Sequence, residues 1–98
     1  MQEIQFEWDE AKAKNNLEKH GVSFDDGATI FNDPLIATIP DPDHSADEQR
    51  FISMGVSIQR HLLIVVHTER GERTRLISCR KATPAERKTY ENAQKTEK

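Results

Sequence analysis

Cysteine is nearly absent. Cys79 stands alone in 98 residues, so no internal disulfide can staple the chain, and a reducing cytoplasm suits it. A zinc site of the paired-cysteine type is excluded for the same reason. Long apolar runs are also missing. The longest, Leu62 to Val66, falls far short of the roughly 20 residues that cross a bilayer, so no membrane span is expected. The opening MQEIQFEWDE has neither a basic nor an apolar stretch, and no secretory signal is expected. No glycine-rich phosphate loop and no Ser–His–Asp motif is spelled anywhere. Apolar residues make up only 35% against 32% charged, which implies a small core and a stability that leans on a partner. One domain, spanning residues 1–98, is all this length allows.

Charge is present in quantity but is unevenly placed. Residues 1–69 carry thirteen Asp and Glu against five Lys and Arg, whereas residues 70–98 carry nine Lys and Arg against four Glu. The net charge of -3 therefore hides a basic end on an acidic body. Within the basic end, "RLISCRKATPAERKTY" holds Arg75, Arg80, Lys81, Arg87 and Lys88, with Arg73 just upstream. Such a pattern suits a local anion site; a solvated, lysine-rich terminal helix is the plainer alternative.

Alternation of Ile4, Phe6 and Trp8 with polar residues predicts a first strand. Asp9 then caps a helix over Glu10 to His20 that stops at Gly21, with Ala13 and Leu17 as its apolar anchors and Trp8 and Ala13 as a weak staple. Ser23 and Asp26 announce a second helix, with Phe24, Ala28 and Phe31 on one face and Asn32-Asp33-Pro34 at its end. Leu35 to Ile39 reads as a strand broken by Pro40-Asp41-Pro42-Asp43. Strands over Arg50 to Ile58, His61 to Thr68 and Arg73 to Arg80 follow. The middle one is apolar enough to be buried on both faces, and Glu69-Arg70-Gly71-Glu72 turns the last hairpin. Thr83-Pro84-Ala85-Glu86 is a capping box that starts a closing helix with a poor apolar face of Ala85, Tyr90 and Ala93. The fold class is α+β: a strand, two helices, an antiparallel meander and a C-terminal helix.

Arg80 and Lys81 end a strand and directly precede a helix start, where backbone N–H groups and the helix dipole favour an anion. On a regular strand Arg75 and Arg80 face opposite sides; Arg75 shares a side with Ile77, Cys79 and Lys81. Around Asp41, Asp43, His44, Asp47, Glu48 and Arg50 three readings stand: a metal site, though the spacing fits no known metal loop; a solvated acidic loop; or Glu48 as a base or as the partner that orients Arg50 or Arg80. His20, at a helix C-terminus, is explained by the dipole alone. His61 and His67 look like strand-end residues. Tyr90 is either the last helix's core anchor or a phenol facing the basic cluster.

"FEWDEAKAKNNLEKHGVSFDDGATIFNDP" (residues 6–34), "DHSADEQRFISMGVS" (43–57) and "LLIVVHTERGERTRLISCRKATPAERKTYE" (62–91) together resemble the BrnT toxins of bacterial type II toxin–antitoxin systems. "KHGVSF", "DH" followed by "E-x-R", and "RLISCRKAT" ending in Tyr carry the likeness jointly. In the family pattern a glycine often precedes the arginine of the turn before "LL"; Gln59-Arg60-His61 stands there instead, which bears on the turn and not on the assignment.

The resemblance implies a RelE-like ribonuclease fold, RNA cleavage that stops translation, and a BrnA-type antitoxin. That antitoxin would cover the toxin and supply the contact with operator DNA. No cofactor is implied. For metal-free cleavage the expected catalytic set is Arg80 for transition-state charge, Glu48 as base or orienting group, and Arg50, Tyr90 and His20 in support. Arg75, Lys81 and Arg73 would hold the RNA backbone. Two readings compete with this one. The first is a catalytically silent partner that assembles with an antitoxin on operator DNA. The second is a metal-dependent nuclease using the Asp41–Glu48 loop.

Overall fold

The computed structural model describes residues 4–43 and 48–95. Nine elements follow one another: β1 (Gln5–Glu7), α1 (Glu10–His20), α2 (Phe24–Ala28), a 3₁₀ turn (Thr29–Asn32), β2 (Ala37–Pro40), β3 (Arg50–Val56), β4 (Leu62–Arg70), β5 (Arg73–Lys81) and α3 (Pro84–Lys95). The five strands form one sheet in the order β1-β5-β4-β3-β2. From β2 to β5 every pairing is antiparallel, the expected meander, while β1 adds itself to the β5 edge in parallel and makes the sheet mixed. β4 lies at the centre, and its Leu62, Leu63, Ile64 and Val65 are all buried, as its unbroken apolar run requires.

Local chemistry sets the element ends. The Asp9 side chain accepts the Lys12 N–H at 3.1 Å, and Gly21 closes α1 in the left-handed region, its N–H on Leu17 O. Ser23 Oγ accepts the Asp26 N–H at 3.0 Å and starts α2, which tightens into the 3₁₀ turn after a single α-helical stretch. Gly71, at φ 63, opens the two-residue connection between Arg70 and Arg73. Thr83 and Glu86 close the capping box reciprocally at 3.1 and 2.8 Å.

One face of the sheet is covered by α1, α2 and the 3₁₀ turn. Val22, Phe24, Ile30, Leu63, Val65, Leu76 and Cys79 form the core there, with Phe6, Trp8, Ala13, Ala28, Phe31 and Ile36 packed against it. Gly27 lets α2 approach β5: a Cβ at that position would sit 2.7 Å from Cys79 Sγ. Leu17, expected as an anchor of α1, is instead half exposed, and the residue α1 buries is Asn16. Asn16 Nδ2 donates to Cys79 O (2.8 Å) and to Val22 O (3.0 Å), and its Oδ1 accepts the Cys79 N–H (3.0 Å). β1 pairs with β5 only as far as Arg75, so the Asn16 amide takes the place of a strand beyond that point.

Among the described residues the opposite face is covered at one end only, by α3. Tyr90 is buried there, and its hydroxyl donates to Asp33 Oδ2, which also accepts the Val56 N–H at 2.8 Å. Asp33 is held below the usual carboxylate range: burial opposes this, but the bonds from Tyr90, Val56 and Leu35 prevail. Tyr90 thus anchors α3.

Candidate functional site: an arginine-lined sheet face

A bulge decides which side chains meet. Val66 pairs with Ser78 and His67 with Leu76, so Ile77 is the unpaired extra residue of β5. The parity of the strand changes at that point. Leu76 and Cys79 both point into the core, and Arg75 and Arg80 both point away from it, contrary to the regular-strand expectation that separates them. Arg50 pairs with Thr68, and Thr68 with Arg75, which puts Arg50 and Arg75 in one row across three strands. Arg70 and Arg73 fall on the same face by alternation. Five arginines therefore share the open face, around the half-buried Ile52, Met54, Val66 and Ser78.

Each arginine is met by a carboxylate. Arg80 makes a two-pronged bond to Glu86, at 2.8 and 2.9 Å, and its Nη1 also reaches Lys81 O at 3.3 Å. Glu86 is thereby pulled down to a pKa of about 2, chiefly by the Arg80 hydrogen bonds and against the effect of burial, so it stays ionised at any physiological pH. The same bonds raise the pKa of Arg80. Arg75 Nη1 bonds Glu7 Oε2 at 2.9 Å, and Arg73 approaches the other oxygen of Glu7 at 3.8 Å. Glu48 sits between Arg50 (3.3 Å) and Arg70 (3.4 Å). Among the described residues five guanidinium groups meet three carboxylates, which leaves the face positive, and the close pairs hold Arg75 and Arg80 in set orientations with N–H donors to spare.

Of the sequence candidates, the structure brings Arg80, Arg50, Arg75, Arg73 and Glu48 onto this face. Lys81 stands on the other side of the sheet, paired with Leu63. Tyr90 lies at the covered end with its hydroxyl on Asp33. His20 is exposed in the last turn of α1, away from the open face. In the acidic loop, Asp41 is buried and accepts the Asp43 N–H at 3.0 Å; His44 and Asp47 lie outside the described residues. Among the described residues no group of three or more His, Cys, Asp and Glu is placed to hold a metal ion.

Two clusters escape the sequence patterns. His67 is buried, its Nε2 2.7 Å from Ser53 Oγ, which is itself 2.7 Å from Thr38 Oγ1; the ring is edge-on to Phe31 and stacked with Phe51. At the sheet end nearest α3, Asp26 Oδ2 accepts from Ser57 Oγ (3.0 Å) and lies 3.1 Å from His61 Nδ1. The spacing of Ser57 and His61 across a tight turn was the available signal, but their meeting with Asp26 is a product of the fold.

Fold and face together define a small α+β domain with an arginine-lined sheet surface. The family model for the ribonuclease toxin BrnT of type II toxin–antitoxin systems matches residues 8–86, and the chain belongs to that family. The crystal structure of the Brucella abortus ribonuclease toxin BrnT is similar in fold. It has a TM-score of 0.61 at 23% identity, over 83% of this chain and 99% of that one. No curated protein matches. Family membership makes this chain a toxin of the type II class with a ribonuclease role, an antitoxin partner and RNA as its target. Among the described residues no helix is long and apolar enough to cross a membrane.

Proposed function

We propose that this toxin acts in the cytoplasm, cleaves RNA on the arginine-lined face without a metal ion, and so inhibits translation. Its neutralising partner is a BrnA-type antitoxin, through which the pair binds operator DNA and represses its own operon. The observation that carries the reading is the placement of Arg50, Arg75 and Arg80 on one face by the Ile77 bulge. A guanidinium fixed before the reaction suits the middle task of RNA cleavage, stabilising the charge that develops on phosphorus-bound oxygens as the 2′-hydroxyl attacks in line. Glu86 orients Arg80 for this, and Glu48 and Glu7 orient Arg50 and Arg75, which hold the flanking backbone. Arg73 adds to that hold from beside Glu7, and Lys81 serves RNA on the far side of the same strand end.

Arg80→Ala should lower the cleavage rate by a factor of about 100 or more, equivalent to about 3 kcal/mol of transition-state stabilisation. The assay is cleavage of RNA by purified protein in EDTA, beside growth of cells induced for the chain alone. A folded Arg80→Ala variant that cleaves at the wild-type rate would overturn the assignment. Loss of cleavage in EDTA would return the metal-dependent reading. Induction of the wild-type chain without growth arrest would favour the silent partner.

A further inference from the structure

Arginines on the open face suit the phosphates of an RNA strand but not its bases. Beside Arg80 the same face carries a groove of a different character. Leu35, Ile36 and Ala37 line it from the β2 side, Met54 from β3, and Thr89 and Tyr90 from α3. Pro34 and Ala93 complete the lining, which includes no charged side chain. We propose that this groove is a nucleobase subsite, seating a base of the RNA strand whose phosphate lies on Arg80; this rests on the ribonuclease reading above.

Two connections place the groove beside Arg80. The first runs across the sheet. Arg80 pairs with Ile64, Ile64 with Met54, and Met54 with Ala37, so the four form one row and point to one side. With strands about 4.8 Å apart, Met54 stands two strands, or about 10 Å, from Arg80 along that row. The second runs along α3. Glu86 binds Arg80 with both oxygens, at 2.8 and 2.9 Å. Thr89, Tyr90 and Ala93 follow Glu86 at i+3, i+4 and i+7, on the same stripe of the helix. Thr89 and Tyr90 therefore lie one turn, about 5 Å, beyond the carboxylate that holds the guanidinium. The sugar and base of a nucleotide whose phosphate rests on Arg80 extend over such a distance.

The chemistry of the groove selects its occupant. A volume of about 290 Å³ lies at the lower end for ligand sites, enough for one ring system and too little for a folded segment. Leu35 is 44% exposed, and Ala37 and Ala93 are exposed as well, so apolar surface lies open beside a charged face. A nucleotide joins these two properties in one molecule, a flat apolar ring tethered to a phosphate. A charged side chain from a protein partner would find no counter-charge in this lining. Hydrogen-bonding side chains are few and already engaged: the Tyr90 hydroxyl is held by Asp33, and the Thr89 hydroxyl donates to Ala85 O at 3.2 Å. The subsite therefore recognises a base by shape and apolar contact more than by its edge. It admits an unstacked base of a single strand, because a base inside a duplex is stacked on both faces.

The test uses the full chain and a single-stranded RNA of mixed sequence, free and on translating ribosomes. Cut sites are mapped with the wild-type protein, and an abasic nucleotide is then placed in turn at each of the two positions on either side of one cut. At one of these positions loss of the base should lower kcat/KM about tenfold. Ala37→Trp and Ala93→Leu put bulk into the groove from β2 and from α3, at exposed positions where folding tolerates it. Each should lower kcat/KM on the intact RNA by about the same factor, and the further penalty of the abasic position should fall below about twofold. A merely structural effect would slow cleavage of both RNAs alike and leave the penalty at about tenfold. An abasic penalty below about twofold at every position with the wild-type protein, or its persistence in both folded variants, would overturn the proposal while the ribonuclease reading stands. Variants that cleave as the wild type does but escape neutralisation by the co-expressed antitoxin would overturn it too, and would give the groove to that partner. Absence of cleavage by the wild-type protein on both substrates would refute the ribonuclease reading itself and this inference with it.

Discussion

Replacing Asn16 by alanine should cost this domain a large part of its stability, although the substitution improves helix propensity. The Asn16 side chain satisfies Cys79 N–H and O and Val22 O, at 3.0, 2.8 and 3.0 Å. Cys79 is fully buried and Val22 nearly so, so water cannot replace the lost partners. Each buried group left unpaired costs about 1–3 kcal/mol. With two groups on Cys79 and one on Val22, less roughly 0.5 kcal/mol returned by alanine in a helix, the loss is about 2.5–8.5 kcal/mol. For a domain of this length, that corresponds to a fall in Tm of about 10 °C or more. Asn16→Asp should be worse at neutral pH, because a carboxylate would face two carbonyl oxygens with no hydrogen to offer. Urea unfolding followed by circular dichroism gives the number directly. A loss below about 1 kcal/mol for Asn16→Ala, with an unchanged m-value, would show that β5 does not need the amide as its neighbour and would refute the reasoning.

Two further predictions concern stability. Burial lowers the pKa of His67 to about 4, below the roughly 6.5 of an unfolded histidine, so the folded state prefers the neutral ring. This contribution is fully present above pH 6.5 and is lost as pH falls toward 4. The slope is about 1.4 kcal/mol per pH unit and the total about 3 kcal/mol, and urea titrations at pH 4.5 and 7 should show a difference that His67→Gln removes. Arg60 holds a φ of 69 in the turn that Ser57 O closes on the Arg60 N–H at 2.9 Å. A side chain costs about 1 kcal/mol there, partly offset by the greater unfolded freedom of glycine. Arg60→Gly should thus raise Tm by about 3 °C in a thermal melt, and an unchanged or lower Tm would count against the strain.

What the sequence reveals about this fold is what neighbours in the chain decide. Asp9 and Gly21, Ser23 with Asp26, and Thr83 with Glu86 each act within a few residues, and all of these ends are found where the caps put them. The buried central strand follows from five consecutive apolar residues. Distant partners are another matter. Leu17 is apolar and Asn16 polar, so pattern alone buries the wrong one; only the free edge of β5 beyond Arg75 gives Asn16 a reason to turn inward. The bulge at Ile77 leaves no mark in composition, yet it moves Arg75 to the side of Arg80. The parallel docking of β1 and the meeting of Asp26 with His61 likewise depend on where α1 and α2 come to rest. For the site, residue type was legible and residue sidedness was not.

The placing of acidic residues among the arginines has a physical consequence for the face as a receptor. An unpaired patch of five guanidinium groups would bind any polyanion, and would do so with high salt sensitivity. Here Glu7, Glu48 and Glu86 each occupy part of one or two heads, which reduces the net field and would restrain the side chains ahead of the RNA proposed to bind there. Less entropy is then lost on binding, while the remaining N–H donors keep a fixed direction. Affinity from charge alone is sacrificed for geometry. The strongest such pair, Arg80 with Glu86, is built into the helix cap itself, because the same carboxylate that binds the guanidinium also binds the Thr83 N–H. The capping box that fixes where α3 begins therefore also fixes where the guanidinium points.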